Sequence, residues 1–255
     1  MLRSLRLITL TLLLSATLCP AATVTVSAAI SLKESLTEIG KFYNHQSGDE
    51  VKVNVGASGQ LMDQIKNGAP VDLFISASPT QVDELQKAGL TVDGTRRVVA
   101  YNQLVLITPP GSTTITQFAD LTNDSVKRIA VGKPGAVPAG DYALQVFDHL
   151  HIAPQVNAKL VYGANVRQVL DYVRRGEVDA GIVYSTDAAT AGDTIRLIIQ
   201  APADSHKPIE YVGVAIKGCN DATAKFLDFL SSDDAQRILK SHGFAVVQAL
   251  PKTTH

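Results

Sequence analysis

Hydroxyl and small residues stand at points where strand-like runs of the sequence pass into predicted helices. Ser31 follows the segment 28–30, and Ser58 is flanked by small residues in the segment 56–59. A helix N-terminus presents unpaired backbone N–H groups and a partial positive charge, which together can bind an anion. We therefore interpret both serines as positions where a hydroxyl and nearby N–H groups could converge on one anion.

Further positions of this kind follow in the second half of the chain. Ala139 lies in the segment 137–140, Val-Pro-Ala-Gly, where the proline suits a helix start and the small residues leave the backbone open. Val166 precedes Arg167 at the start of another predicted helix and could offer its backbone N–H to an anion. Tyr184 ends an apolar run, so its phenol would stand at the carboxyl end of a strand as a hydroxyl donor.

Each position also has a purely structural interpretation. Ser31 and Glu34 match a capping box, in which the two side chains satisfy a helix start without any ligand. Ser58 could be an ordinary N-cap, Arg167 could be a surface arginine, and Tyr184 could be a core tyrosine whose hydroxyl is already bonded. Position by position, the sequence leaves both interpretations open.

The elements that must position these residues alternate between strand-like and amphipathic helical runs, which indicates an α/β architecture. Two such series are separated by the apolar run 97–108, and an apolar strand at 209–216 returns the chain to the first series. We predict two lobes with a ligand cleft between them, lined by strand ends and helix starts. Lobe 1 is predicted to comprise residues 23–103 and 207–255, and lobe 2 residues 104–206.

The first residues of the chain form a separate element. Arg3 and Arg6 precede an apolar run over residues 7–18, which small residues follow at Ala21 and Ala22. A secretory signal peptide typically has a positively charged N-terminal segment, a short apolar stretch and small residues at its cleavage site. We therefore predict a signal peptide over residues 1–22. The apolar run is shorter than the roughly 20 residues that a membrane-spanning helix needs. The expected location of the mature protein is therefore the periplasm.

The two cysteines allow two further expectations. Cys19 raises lipoprotein anchoring as an alternative, although Leu18 stands before it at a position where a lipobox requires a small residue. Removal of the signal peptide leaves only Cys219, so we expect no intramolecular disulfide and no cysteine-based metal site.

Composition and motifs argue against several function classes. The formal net charge of −1 gives no basic surface for nucleic acid. The Gly-x-Ser-x-Gly, His-Glu-x-x-His and Walker A patterns are absent, and the histidines are dispersed along the chain. We therefore expect neither an enzyme nor a nucleic-acid-binding protein.

Taken together, the segments at these junctions resemble the periplasmic molybdate-binding proteins, in the same order and at compatible spacing over essentially the whole mature chain. The stretches Gly-Ala-Pro-x-Asp-x-Phe-Ile-Ser-Ala at 68–77 and Val-Pro-Ala-Gly at 137–140 are fairly specific, whereas Ala-Ala-x-Ser-Leu at 28–32 is weak alone. The other matching segments are 56–59, 165–167 and 181–188.

The resemblance implies a type II periplasmic-binding-protein fold in which neutral donors hold an oxyanion between the lobes. By the family pattern, hydroxyls of two serines and one tyrosine bind the ligand together with backbone N–H groups, one of them that of the first serine. These positions map onto Ser31 (hydroxyl and N–H), Ser58, Ala139 (N–H), Val166 (N–H) and Tyr184. The departures from the pattern are minor. Ile30 is bulkier than the common alanine, and Gly59 replaces a frequent serine and so removes one hydroxyl.

The ligand that the resemblance implies is molybdate or tungstate, bound through its oxygens with no direct metal ligand and no cofactor. None of the matching positions is acidic, which suits an ion without a proton, whereas phosphate keeps a proton at neutral pH and would use a carboxylate acceptor. Sulfate passes the same test and stays open as an alternative. A binder of ferric complexes would require adjacent tyrosines, whereas those of this chain are dispersed, as at Tyr162, Tyr172 and Tyr184.

The implied role is reversible capture of the oxyanion and its delivery to an ABC permease in the inner membrane. Because the chain carries no Walker A loop and no further apolar run long enough to span a membrane, we expect the permease and its ATPase to be separate chains. The protein itself is expected to be a monomer. A cytoplasmic regulator with this fold as its sensor is an alternative against which the signal peptide argues.

Overall fold

The structure is a computed structural model that describes residues 21–247. The predicted signal peptide therefore lies outside the described residues except for Ala21 and Ala22. The strands of the described part are β1 Thr23–Ala29, β2 Glu50–Gly56, β3 Leu73–Ser76, β4 Arg97–Asn102, β5 Leu104–Thr108, β6 Ile129–Gly132, β7 Leu160–Gly163, β8 Ala180–Tyr184, β9 Arg196–Gln200, β10 Ile209–Ala215 and β11 Ala245–Val246. The helices are α1 Lys33–Ser47, α2 Ser58–Lys66, α3 Pro79–Lys87, α4 Pro138–His149, α5 Ala153–Val156, α6 Val166–Arg174, α7 Ser185–Ala191, α8 Asp221–Phe229 and α9 Asp233–Ser241.

The strands form two separate sheets, one in each lobe. The first sheet has the order β11-β4-β10-β3-β1-β2, with β1 parallel to β2 and β3 and with β10 antiparallel to β3 and β4. The second sheet has the order β7-β6-β8-β5-β9, with β6 parallel to β7 and β8 and with β5 antiparallel to β8 and β9. The prediction of a two-lobed α/β fold is therefore confirmed.

The apolar run 97–108 is divided between the two sheets. Its first part is β4 and its second part is β5, and Gln103 alone separates them. The chain returns between β9 and β10, so it crosses from one lobe to the other twice. The lobe limits given above, at residues 103 and 207, stay a prediction.

Burial along the strands explains which of them lie at the centre of each sheet. Every residue of β3 and of β8 is buried, as expected for strands that are covered by helices on both faces. The edge strand β9 is largely exposed, and β2 alternates between exposed and partly buried residues. The buried strands β3 and β8 therefore give rigid support to the residues that follow them. Within residues 21–247, no helix has the length and apolar character needed to cross a membrane.

Candidate functional site

A small cavity lies where the two lobes meet, at the ends of strands and the starts of helices. Its volume is about 10 Å³, far below the roughly 300–1,000 Å³ of sites for drug-sized ligands, so it suits only a small ligand. Four of the predicted site residues line it, whereas the fifth, Ala139, is buried, does not line it, and follows the lining residues Val137 and Pro138 in the sequence. The full lining is Ala29, Ile30, Ser31, Gly56, Ala57, Ser58, Ala77, Val137, Pro138, Val166 and Tyr184.

Ser31 lies in a short 3-10 turn, Ile30–Leu32, between β1 and α1. The capping-box interpretation of this residue is wrong, because Leu32 occupies the N-cap of α1 and makes no side-chain cap bond. The Ser31 hydroxyl instead forms a hydrogen bond of 2.7 Å with the hydroxyl of Tyr211. The 3-10 turn thus directs the serine side chain toward the interface of the lobes.

Ser58 is the first residue of α2 and is buried. It is not an ordinary N-cap, because Ala57 holds that position and no side chain caps the helix. Its Oγ atom accepts a hydrogen bond of 3.1 Å from the backbone N–H of Ala77. Since the N–H supplies the hydrogen of that bond, the hydrogen of the serine hydroxyl remains available to an acceptor in the cavity.

The two positions expected to act through their backbone are both at helix starts. Ala139 is the second residue of α4, after Pro138, and Val166 is the first residue of α6. N–H groups in the first turn of a helix have no acceptor inside the helix. At α6 the side chain of Asn165 accepts from the backbone N–H of Gln168 at 3.0 Å, so this cap leaves the N–H of Val166 for a ligand.

Tyr184 is the last residue of β8 and is only 2% exposed. Within residues 21–247 its hydroxyl has no hydrogen-bond partner, so the interpretation as a core tyrosine with a bonded hydroxyl is wrong. Burial, together with the nearby Tyr211 hydroxyl, raises the pKa of Tyr184 well above its ordinary value, so the phenol keeps its proton. A buried hydroxyl without a partner costs about 1–3 kcal/mol, which a bound acceptor would recover.

The charged groups near the cavity are paired with one another. Arg167 does not line the cavity, and its guanidinium group contacts the carboxylates of Glu34 and Asp187. Burial raises the pKa of Asp187 to about 6, against the opposing effect of Arg167. Among the described residues, no group of three or more His, Cys, Asp and Glu side chains is arranged to hold a metal ion. The cavity thus offers neutral hydrogen-bond donors.

The lobes touch each other directly beside the cavity. The N–H of Gly59, at the start of α2, donates to the carbonyl oxygen of Ala136 in the other lobe at 2.9 Å. A Cβ atom on Gly59 would lie 2.8 Å from both the Cα and the carbonyl oxygen of Ala136. A side chain at this position would therefore require the backbone at Ala136 to move away from α2.

Two residues near the cavity were missed by the analysis of the sequence. Tyr211 lies in β10 and contacts Ser31, and Asn102 ends β4 and contacts Tyr211. Tyr211 sits within an apolar strand and resembles any other core residue. A signal for Asn102 did exist, since Asn102 and Gln103 are a polar pair that interrupts the apolar run 97–108.

Comparison with known proteins extends over nearly all of the described chain. A family model for bacterial extracellular solute-binding proteins matches residues 24–245. The chain is 37% identical over 232 residues to the molybdate-binding protein ModA of Haemophilus influenzae, covering 88% of this chain and 90% of that protein. It is 36% identical over 231 residues to ModA of Escherichia coli, covering 88% and 89%. The solved periplasmic molybdate-binding protein of Azotobacter vinelandii matches with a TM-score of 0.79 at 26% identity, covering 88% of this chain and 100% of the other.

Proposed function

Because the chain belongs to the bacterial extracellular solute-binding proteins, we propose that it captures molybdate or tungstate between its lobes and delivers the ion to an ABC permease. The observation that carries this proposal is the buried Tyr184 hydroxyl, which has no hydrogen-bond partner among residues 21–247 and lies at a small interlobe cavity that Ser31 and Ser58 also line. The similarity to the molybdate-binding proteins of Haemophilus influenzae and Escherichia coli supports the choice of ion.

The donors around the cavity match the chemistry of such an ion. A tetrahedral oxyanion without a proton presents only acceptor atoms, so it is satisfied by groups that donate. In the proposal, the hydroxyls of Ser31, Ser58 and Tyr184 donate to it, together with the backbone N–H groups of Ala139 and Val166. The partial positive charge at the starts of α2, α4 and α6 adds to the attraction without a free cation.

The proposed cycle consists of capture, closure and release. The open lobes admit the ion, the hydrogen bonds of both lobes to the ion favour the closed form, and the closed protein docks on the permease in the inner membrane. The protein would act as a periplasmic monomer. The metal atom would stay inside its shell of oxygens, so no side chain would be a direct metal ligand. Capture and delivery of the ion would need neither a cofactor nor catalysis.

Calorimetric titration of the purified protein, without residues 1–22, tests the proposal directly. Molybdate, tungstate, sulfate and phosphate are titrated separately into ligand-free protein, and we expect heat and saturation with molybdate and tungstate. Tight binding of sulfate together with no response to molybdate would show that the ligand is sulfate and that the protein is still an oxyanion binder. An absence of binding to all of these ions would overturn the proposal.

A further inference from the structure

A chain of buried hydrogen bonds leads from the crossing between the lobes to the cavity. Asn102, the last residue of β4, contacts the hydroxyl of Tyr211 at 3.1 Å through its Nδ2 atom. The Tyr211 hydroxyl in turn contacts Ser31 Oγ at 2.7 Å. All three side chains are buried, and Ser31 lines the cavity. This chain of contacts connects a residue that lies outside the cavity to one of its hydroxyl groups.

The direction of the hydrogen bonds begins with the side-chain amide of Asn102. Its Oδ1 atom is 2.8 Å from the backbone nitrogen of Gln103 and 2.9 Å from Ser185 Oγ. A backbone N–H can only donate, so the atom that faces it must be the amide oxygen. The other amide atom is therefore Nδ2, which donates to Tyr211 and, at 2.9 Å, to Thr186 Oγ1.

The hydroxyl of Tyr211 finds an acceptor for its own hydrogen, among the described residues, if it donates to Ser31. Its oxygen already accepts from Asn102, and within residues 21–247 Ser31 Oγ is the other atom bonded to it. A phenol is more acidic than an aliphatic alcohol and is the better donor of the two. Burial is the main cause that raises the pKa of Tyr211 well above its ordinary value, so the phenol retains the hydrogen that it donates.

We propose that Asn102 and Tyr211 are positioning residues that fix the Ser31 hydroxyl as a donor to the bound oxyanion. Ser31 Oγ accepts from Tyr211, so its own hydrogen is free to point to an acceptor in the cavity. Hydrogen bonds in such a chain polarise one another, which strengthens the last donor. This relay, defined as Asn102, Tyr211 and Ser31, rests on the proposed function, because it needs an anion as its final acceptor.

The relay also draws on both lobes. Ser31 and Tyr211 belong to the lobe of the first sheet, whereas Ser185 and Thr186, which hold Asn102, are the first residues of α7 in the other lobe. Tyr184, the proposed hydroxyl donor of that lobe, immediately precedes them. The orientation of Ser31 is thereby coupled to the segment that carries the opposite donor.

A double-mutant cycle on Tyr211 and Ser31 tests the relay. Molybdate is titrated into the wild type, Tyr211→Phe, Ser31→Ala and the double variant, and thermal unfolding of each ligand-free protein checks its fold. Tyr211→Phe should weaken binding by about ten-fold in the wild type and by less than about two-fold when Ser31 is already alanine. Tyr43→Phe is the matched control, because Tyr43 is also buried but packs against Phe226 away from the cavity, and it should leave the affinity unchanged.

A second variant keeps the test decisive if Tyr211→Phe fails to fold. Asn102→Asp retains the size of the side chain and its acceptor for Gln103, but a carboxylate cannot donate to Tyr211. Tyr211 would then donate to the carboxylate, and Ser31 would donate to Tyr211 instead of to the anion. We expect a loss of affinity for Asn102→Asp that is substantially smaller when Ser31 is alanine.

The outcomes separate the relay from the proposed function. Equal losses of affinity in both backgrounds would mean that Tyr211 acts only through packing, and unchanged affinity in Tyr211→Phe would mean that it has no role. Either result overturns the relay while binding of molybdate by the wild type still supports the proposed function. A wild type that binds none of the four oxyanions would overturn both.

Discussion

Arg167 and Glu34 form an ion pair that joins the two lobes beside the cavity. The Nη2 atom of Arg167, at the start of α6, lies 2.8 Å from Glu34 Oε2 in the first turn of α1. The same guanidinium group is held from behind by the buried carboxylate of Asp187. Because Glu34 and Arg167 lie on opposite lobes, their contact depends on the closed arrangement, and we expect it to slow the release of the ligand.

Replacement of Glu34 by glutamine should therefore speed ligand dissociation. A partly exposed ion pair contributes about 0.2–1 kcal/mol, so we expect the dissociation rate of molybdate to rise by about 1.4- to five-fold. The chain contains no tryptophan, so stopped-flow tyrosine fluorescence after dilution of the complex can report release. Glu38→Gln is the matched control, because Glu38 is on the same helix but pairs with His242. A rate equal to that of the wild type would show that the pair does not hold the closed form.

The elevated pKa of Asp187 makes a prediction about stability and pH. Its pKa is about 6 in the folded protein, because of burial, whereas the ordinary value of 3.8 applies to the unfolded chain. The folded state therefore binds this proton more tightly than the unfolded state does. The stabilising contribution of Asp187 is fully present below the lower pKa, decreases as the pH rises through the interval, and is lost above the pKa of the folded state.

Urea unfolding of the ligand-free protein at several pH values between about 4 and 7 measures this contribution. Asp187→Asn cannot titrate, so its free energy of unfolding should decrease less than that of the wild type as the pH rises. The other titratable groups nearby, including His242 and Glu34, are shared by both proteins and cancel in the comparison. Parallel pH profiles for the two proteins would contradict an elevated pKa at Asp187.

Replacement of Tyr184 by phenylalanine should weaken binding and leave the stability of the ligand-free protein nearly unchanged. The hydroxyl has no partner within the described chain when the lobes are closed, but opening of the lobes gives it access to water in the ligand-free protein. Loss of a donor to a charged ligand should cost about 1.5–3 kcal/mol of binding free energy. Calorimetry measures the affinity and thermal unfolding measures the stability. An unchanged affinity would show that Tyr184 has only a structural role.

Ser58→Ala provides a matched contrast at the opposite side of the cavity. The loss of binding free energy should be similar, about 1.5–3 kcal/mol. Unlike Tyr184→Phe, this variant should destabilise the ligand-free protein, because the buried N–H of Ala77 loses the acceptor that Ser58 Oγ provides. If Ser58→Ala were as stable as the wild type, the assignment of the Ser58 bond would be wrong.

Much of the fold was predictable because its signals are local. The buried strands β3 and β8 follow from their hydropathy, and the start of α4 follows from the backbone geometry of its proline. The division of the run 97–108 was not predictable, since hydropathy does not specify to which sheet a buried strand belongs. The segments that match the family pattern also line the cavity, because both sets of residues lie at strand ends and helix starts.

The pairing of side chains at the site could not be derived from local patterns. Ser31 and Glu34 have the spacing of a capping box, yet each finds a partner far away in sequence, at Tyr211 and Arg167. The 3-10 turn at Ile30–Leu32 places the start of α1 after Leu32. The capping hydrogen bonds between Ser31 and Glu34 therefore do not form, and both side chains bond to distant residues instead. Only the folded arrangement of both lobes reveals such contacts.

The close approach of Gly59 and Ala136 leads to a prediction about closure itself. In Gly59→Ala, the added Cβ would meet the Cα and carbonyl oxygen of Ala136 at 2.8 Å, a distance that backbone atoms do not tolerate. The lobes would have to separate, which weakens the 2.9 Å hydrogen bond between these residues and moves the donors of one lobe away from the other. We expect the affinity for molybdate to fall by about ten-fold or more, because donors displaced from one side no longer reach the ion.

Small-angle X-ray scattering with and without molybdate measures this closure, alongside calorimetry. The wild type should become more compact when it binds the ion, whereas Gly59→Ala should become less compact than the wild type at saturating ligand. Gln60→Ala is the matched control, because Gln60 is the next residue of α2 and its side chain is exposed. Closure and affinity of Gly59→Ala equal to those of the wild type would mean that the protein binds its ligand with the lobes farther apart than in this structure.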